Sequence, residues 1–278
     1  MELNIPLFSG ISLKIANLSI DQKGYPTSQL QKGIILVYND QELAEEGVGF
    51  GVPVLKEGLR TIFPGDIELI PSSQPPLQEI AATYTLNLEE RLTSQYLGIV
   101  NSKTLYAMKN LLAELYRRMT PLRGPLIVVS NTLRRFFGWE TTYERMERDI
   151  KVKTIYAIDS QAGIIHVNVD ASDLLEGGIT EAVVMNEQGG GHFDLYQDSS
   201  GAFLQGDEIG SWDEVTADEA SFISKASRLA FTLRRIKGAR LFRGRELVGK
   251  RLAWSGFGYS FHPGIGRIDY QLKIERLP

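Results

Sequence analysis

Ile268-Asp269-Tyr270-Gln271-Leu272-Lys273-Ile274-Glu275 alternates apolar and polar residues without a break. A strand points successive side chains to opposite faces, so this stretch has one face for a core and one for solvent. The same period of two recurs at residues 11–15, 128–136, 150–155, 165–169 and 229–234. Between such runs stand turn signals. Asp21-Gln-Lys-Gly24, Asp159-Ser-Gln-Ala-Gly163 and Asp198-Ser-Ser-Gly201 each begin with an acid and end on a residue that tolerates positive φ. Lys56-Glu-Gly58 and Lys237-Gly238 read as tighter hairpin joints. Strands joined by short turns must be antiparallel neighbours, because a parallel return needs a dozen residues or more.

One segment departs from this pattern. Residues 101–120 place apolar side chains at helical spacing (Leu105, Met108, Leu111, Leu112, Leu115), with Asn101 or Ser102 to cap the start and Pro121 to stop it. Residues 216–224 could form a second short helix capped by Thr216, or belong to strands. The expected fold is mainly β: a large antiparallel β-sandwich with one amphipathic helix near residues 101–120, built from roughly fourteen to eighteen strands. Residues 1–278 are read as one domain, two smaller β-domains being the alternative. Pro71-Ser-Ser-Gln-Pro75-Pro76 reads as a surface loop.

Composition excludes several functions. The chain of 278 residues has no cysteine, so disulfides, thiolate metal sites and a cysteine nucleophile are out. No apolar run is long enough to span a membrane, and the N-terminus lacks the basic and apolar regions of a signal peptide; the expected compartment is the cytoplasm. Charge is segregated. Residues 154–224 carry fourteen Asp and Glu and no Lys or Arg, whereas residues 225–251 carry ten Lys and Arg against one acid, Glu246. Nucleic acid is not expected as a partner, since the acidic block repels phosphates. The two blocks are expected to face one another on adjacent strands, within one chain or across a homo-oligomer boundary, where opposite-charge pairs penalise slipped registers.

Four places carry candidate chemistry. Gly47-Val-Gly49-Phe-Gly51-Val-Pro53 has dinucleotide-like glycines but runs on as strand, so it lacks the helix N-terminus that would hold a pyrophosphate and reads as a bulge or a close backbone approach. Glu45 and Glu46 enter that strand pointing to opposite faces, and the inward one needs a partner such as Arg60 across the Gly58 turn. Gly189-Gly-Gly-His192-Phe-Asp194 offers a His–Asp pair for general-base work, or an exposed hairpin tip. Residues 254–266 are rich in aromatics and glycines, the composition of a surface where flat rings stack, and include Tyr259 and His262. Asp194 and Asp198, with Asp207 and Glu208, could offer hard oxygen ligands to calcium at hairpin turns.

In outline, a wide sandwich of this many strands resembles the β-supersandwich shared by sugar mutarotases and the sandwich domains of polysaccharide lyases. That resemblance implies a carbohydrate ligand, with His192, His262, Tyr259, Arg60 and Glu45 or Glu46 as acid, base and hydroxyl anchors around Trp254. The competing expectation is a non-enzymatic assembly protein that docks partners through its charged strand faces.

Overall fold

The computed structural model describes residues 1–18, 30–44, 47–58, 60–74, 77–94, 139–176, 178–248 and 251–278. The helix expected near residues 101–120, the strand expected at 128–136 and the turn at 21–24 lie outside them. Among the described residues the protein is mainly β, with eighteen strands in two antiparallel sheets and only short 3₁₀ turns as helix. No helix among the described residues is long and apolar enough to cross a membrane.

The smaller sheet joins β1 (Glu2–Phe8), β2 (Ile11–Ala16), β3 (Ile35–Tyr38) and β4 (Gln41–Glu42) in chain order. The larger sheet has fourteen strands. Its middle is β5 (Gly49–Glu57), β6 (Arg60–Gln74), β7 (Leu77–Ser94), β8 (Trp139–Asp159) and β9 (Ile164–Asp170). Beyond β5 lie β10 (Glu181–Gly189), β17 (Arg251–Phe261), β16 (Arg240–Val248) and β13 (Asp213–Glu214). Beyond β9 lie β18 (Arg267–Arg276), β15 (Leu229–Arg234), β14 (Glu219–Ser224), β11 (Leu195–Asp198) and β12 (Phe203–Gln205). Residues 219–224 are therefore strand, and their helical alternative is not used.

The large sheet doubles over, so its two wings pack face to face. Phe50 of β5 meets Phe231 of β15 with ring centroids 5.1 Å apart, and Phe222 of β14 meets Phe257 of β17 at 4.8 Å. Tyr259 of β17 meets Tyr270 of β18 at 4.7 Å. Strands distant in sheet order touch only if the sheet closes on its own inner face, which makes one sheet serve as both layers of a sandwich. The alternation in the sequence supplies that face: Ile268, Tyr270, Leu272 and Ile274 are buried, while Asp269, Gln271 and Lys273 are exposed.

Local chemistry holds the turns. Asp159 Oδ1 accepts from Gln161 N (3.0 Å) and Ala162 N (2.9 Å), with Gly163 at φ 67° closing the β8–β9 turn. Asp198 Oδ1 does the same for Ser200 N at 2.9 Å before Gly201 at φ 90°. Of the stretch expected as a surface loop, Pro71 to Gln74 instead continue β6, and Gln74 pairs with Leu77 of β7; Pro75 and Pro76 lie outside the described residues. Prolines are tolerated there because β5 pairs with β6 only through Arg60, Thr61 and Ile62, so Pro64 and Pro71 interrupt no β5–β6 ladder. The segment leading into β3 enters that split, with Gln31 N donating to Pro64 O and Ile34 bridging Phe50.

The Gly49–Gly51 run is a bulge. Val52 pairs with Met185 and Phe50 with Asn186, which leaves Gly51 unmatched. Gly51 has φ 77°, and a Cβ there would stand 2.4 Å from the Tyr156 ring. Only glycine satisfies both the backbone angle and the close approach.

Candidate functional site

The residues singled out by the sequence occupy different environments. Tyr259 is fully buried in the core and its hydroxyl donates to Arg234 O; burial raises its pKa above the ordinary phenol range. His262 is exposed, and its Nδ1 accepts from Gly264 N at 3.0 Å, capping a 3₁₀ turn at Pro263–Ile265. His192 is half-buried in the turn after β10, its backbone N–H donating to Gly189 O at 3.0 Å. Arg60 pairs with the buried Glu89 (3.5 Å), itself also held by Arg91 (3.0 Å), and further approaches Glu57 at 3.7 Å. Glu45 and Glu46 lie outside the described residues. None of the four described residues, Tyr259, His262, His192 and Arg60, lines the groove described below.

Asp198 is committed to its turn, accepting from Ser200 N, Ser200 Oγ, Ala202 N and the Tyr196 hydroxyl. Asp194 is half-buried in the preceding loop, where its carbonyl accepts from Gly206 N at 2.9 Å. Among the described residues no three His, Asp or Glu side chains gather to hold a metal ion.

The interior carries a polar seam across the bulge. Asn186 Oδ1 accepts from the Tyr270 hydroxyl at 2.8 Å and from Gly51 N at 3.1 Å. The Tyr156 hydroxyl donates to Gly51 O at 3.0 Å and lies 2.8 Å from the Tyr84 hydroxyl. Desolvation pushes the pKa of Tyr84, Tyr156 and Tyr270 well above the usual phenol value, so all three stay protonated donors. Such groups are sealed from substrate, and their service is to satisfy a bulged backbone inside a core.

Outside, the wings differ. On β16 and β17, Gly244, Gly256 and Gly258 leave a strip without side chains. Two indoles lie against it: a Cβ on Gly258 would stand 2.2 Å from the Trp212 ring, and one on Gly244 2.8 Å from the Trp254 ring. Trp212 stacks parallel on Phe242 with centroids 5.6 Å apart, and Arg240 lies over Phe242 at 5.2 Å. Trp212 itself has φ 66°, an unusual angle for so large a side chain. The aromatic and glycine composition thus builds an internally stacked roof.

On β8, β9 and β18 the outer face is open. A groove of about 250 Å³ is lined by Ile155, Ala157, His166, Asn168, Asp269 and Gln271. Register produces it. Ile155, Asn168 and Asp269 stand side by side across the three strands, and Ala157, His166 and Gln271 form the next row. The small Ala157 leaves the space. Asn168 Nδ2 donates to Asp269 Oδ1, which pre-aligns both groups; His166 and Gln271 have no side-chain hydrogen bond among the described residues. The groove is smaller than typical ligand sites of roughly 300–1,000 Å³, a size for one small ring.

Sequence reasoning missed this site, although residues 165–169 and 268–275 are two of the strands it identified. Their polar positions passed as solvated. No family model matches the chain, and no curated protein does. Among solved structures, it is similar to the Slr1438 protein from Synechocystis sp. PCC 6803 at 7% identity and TM-score 0.38, over 99% of this chain and 96% of that one. It is similar to HI1317 at 8% identity and TM-score 0.33, over 99% and 100% of the two chains. Likenesses this loose carry no functional argument.

Proposed function

We propose that the protein binds a carbohydrate in the groove on the outer face of β8, β9 and β18. The carrying observation is the placing of His166, Asn168, Asp269 and Gln271 at neighbouring register positions beside Ile155 and Ala157. Imidazole, amide and carboxylate groups together supply both donors and acceptors, which vicinal hydroxyls require because each both gives and takes a hydrogen bond. Ile155 and Ala157 supply an apolar floor for the C–H face of a sugar ring. This reading assigns the groove binding and assigns no reaction to it.

The assembly reading has less to support it. Charges from the acidic and basic blocks meet inside the chain: Glu219 with Arg234 (2.6 Å), Asp213 with Arg243 (3.8 Å) and Glu181 with Arg240 (3.9 Å). Groups already paired within the sheet offer less to a partner.

The test is a glycan array followed by titration calorimetry. Binding of at least one glycan is expected, weakened at least about tenfold in Asp269→Ala and in Gln271→Ala, which remove hydrogen bonds from one row each. Binding that neither substitution alters, or no binding at all, overturns the assignment.

A further inference from the structure

The groove is the end of a longer row. Ile70 of β6 pairs with Ala81 of β7, Ala81 with Ile155 of β8, Ile155 with Asn168 of β9 and Asn168 with Asp269 of β18. Residues directly opposite in a sheet share a face, so these five side chains form one straight line on the outside of the sheet. Neighbouring strands lie about 4.8 Å apart, which makes the line roughly 19 Å long. Its chemistry changes once along its length: three apolar residues, then two polar ones.

The apolar part is open to solvent. Ile70 is 57% exposed and Ile155 38%, and both are among the large apolar side chains the protein leaves uncovered. Ala81 between them is small, so the two isoleucines flank a shallow trough. One flanking row is polar throughout, with Glu68, Thr83 and Lys153; the other is polar on β6 and β7, with Ser72 and Glu79, and ends on β8 at Ala157 of the groove. The trough is thus an apolar lane with polar margins, and it runs into the groove through Ile155, which belongs to both.

Resting on the carbohydrate reading of the groove, we infer that the ligand is a glycoside carrying an apolar substituent, its sugar seated among His166, Asn168, Asp269 and Gln271 and its substituent along Ile155, Ala81 and Ile70. A bare sugar would leave the lane wet. An alkyl or aryl aglycone would bury Ile70, Ala81 and Ile155 and draw affinity from apolar area. The lane spans two strand spacings, about 10 Å, roughly the reach of an octyl chain.

The experiment compares the methyl and octyl glycosides of glucose, galactose and mannose by titration calorimetry, with octyl compounds kept below their micelle concentrations. Wild type, Ile70→Ser, Ile70→Leu and Asp269→Ala are measured. Ile70 lies two strands from the groove and is largely exposed, so its substitution leaves both the fold and the sugar seat intact. For at least one sugar the octyl glycoside is expected to bind about tenfold tighter than the methyl one. That gain disappears in Ile70→Ser and persists in Ile70→Leu, while methyl glycoside affinity is unchanged in both. Equal affinity for methyl and octyl members overturns the inference and leaves the carbohydrate reading standing. Octyl binding indifferent to Asp269→Ala, with no methyl binding, overturns both, as does absence of binding by every glycoside.

Discussion

The two wings of the large sheet share an inner face and differ on the outside. On the β10–β17–β16 wing, glycines leave a strip against which the Trp212 and Trp254 indoles lie, with Trp212 held at φ 66°. On the β8–β9–β18 wing, strict alternation puts polar side chains together with Ile155 and Ala157 outside, and nothing among the described residues covers them. One face is closed by large residues lying on small ones. The other carries a shallow groove with the small Ala157 among its lining residues. The difference shows that aromatic and glycine richness marks self-packing here, whereas an unremarkable polar alternation supplies the accessible surface.

The strongest way to break the relation between the wings is to cut what ties them. Asn186 on β10 reaches Tyr270 on β18, so Asn186→Ala strands the Tyr270 hydroxyl and the Gly51 amide inside the core. A loss of about 2–5 kcal/mol in urea unfolding is expected, since each buried orphan donor costs roughly 1–3 kcal/mol. A loss under about 1 kcal/mol would mean that the seam does not join the two layers.

Next comes the same residue placed on both faces. Gly258→Leu must displace the Trp212 ring and is expected to destabilise by about 1–3 kcal/mol, with a red shift in tryptophan emission. Ala157→Leu points into the open groove and is expected to change stability by less than about 0.5 kcal/mol while abolishing glycan binding. Equal destabilisation of the two variants would erase the distinction between a roofed and an open face.

The smallest effect is acid sensitivity on the open wing. Asp170, at the end of β9, accepts from Ser172 Oγ (2.5 Å) and pairs with Arg267 (2.6 Å). The Ser172 hydrogen bonds first, and then Arg267, hold its carboxyl down to about 2. A depressed folded-state pKa contributes stability that is complete above the unfolded value near 4 and fades as pH falls towards 2. The urea midpoint of wild type should therefore drop more between pH 5 and pH 2.5 than that of Asp170→Asn. Parallel curves would show that this pair does not contribute.

Much of the fold was legible. The period-two runs among the described residues, the acid-led turns Asp159–Gly163 and Asp198–Gly201 and the Gly51 bulge are governed by neighbours a few residues away, and the structure places each where the pattern indicates. Lys237-Gly238, expected as a hairpin joint, instead links β15 to β16, which do not pair. Pro71 misled, because a proline beside an incomplete strand pairing looks the same in sequence as a proline in a loop. Arg60 pairs with Glu89, on the far side of a hairpin whose length no local signal specifies, while Glu45 and Glu46, the acids it was expected to meet, lie outside the described residues. Tyr259 and His262 sit in the aromatic, glycine-rich stretch that suggested a stacking surface. Their fates, a buried donor and a turn cap, depend on which face of β17 meets the other wing and where that strand ends.

Alternation along residues 165–169 and 268–275 is a local property, and reading the chain was enough to say that one side of each strand meets solvent. That His166 and Asn168 stand beside Gln271 and Asp269, about a hundred positions away, follows from β9 and β18 pairing in one register. A shift of one residue would have turned the same side chains into the core. Pairing is chosen by the joint burial of every inner face, a sum over the whole molecule, so only the folded chain could bring these groups together.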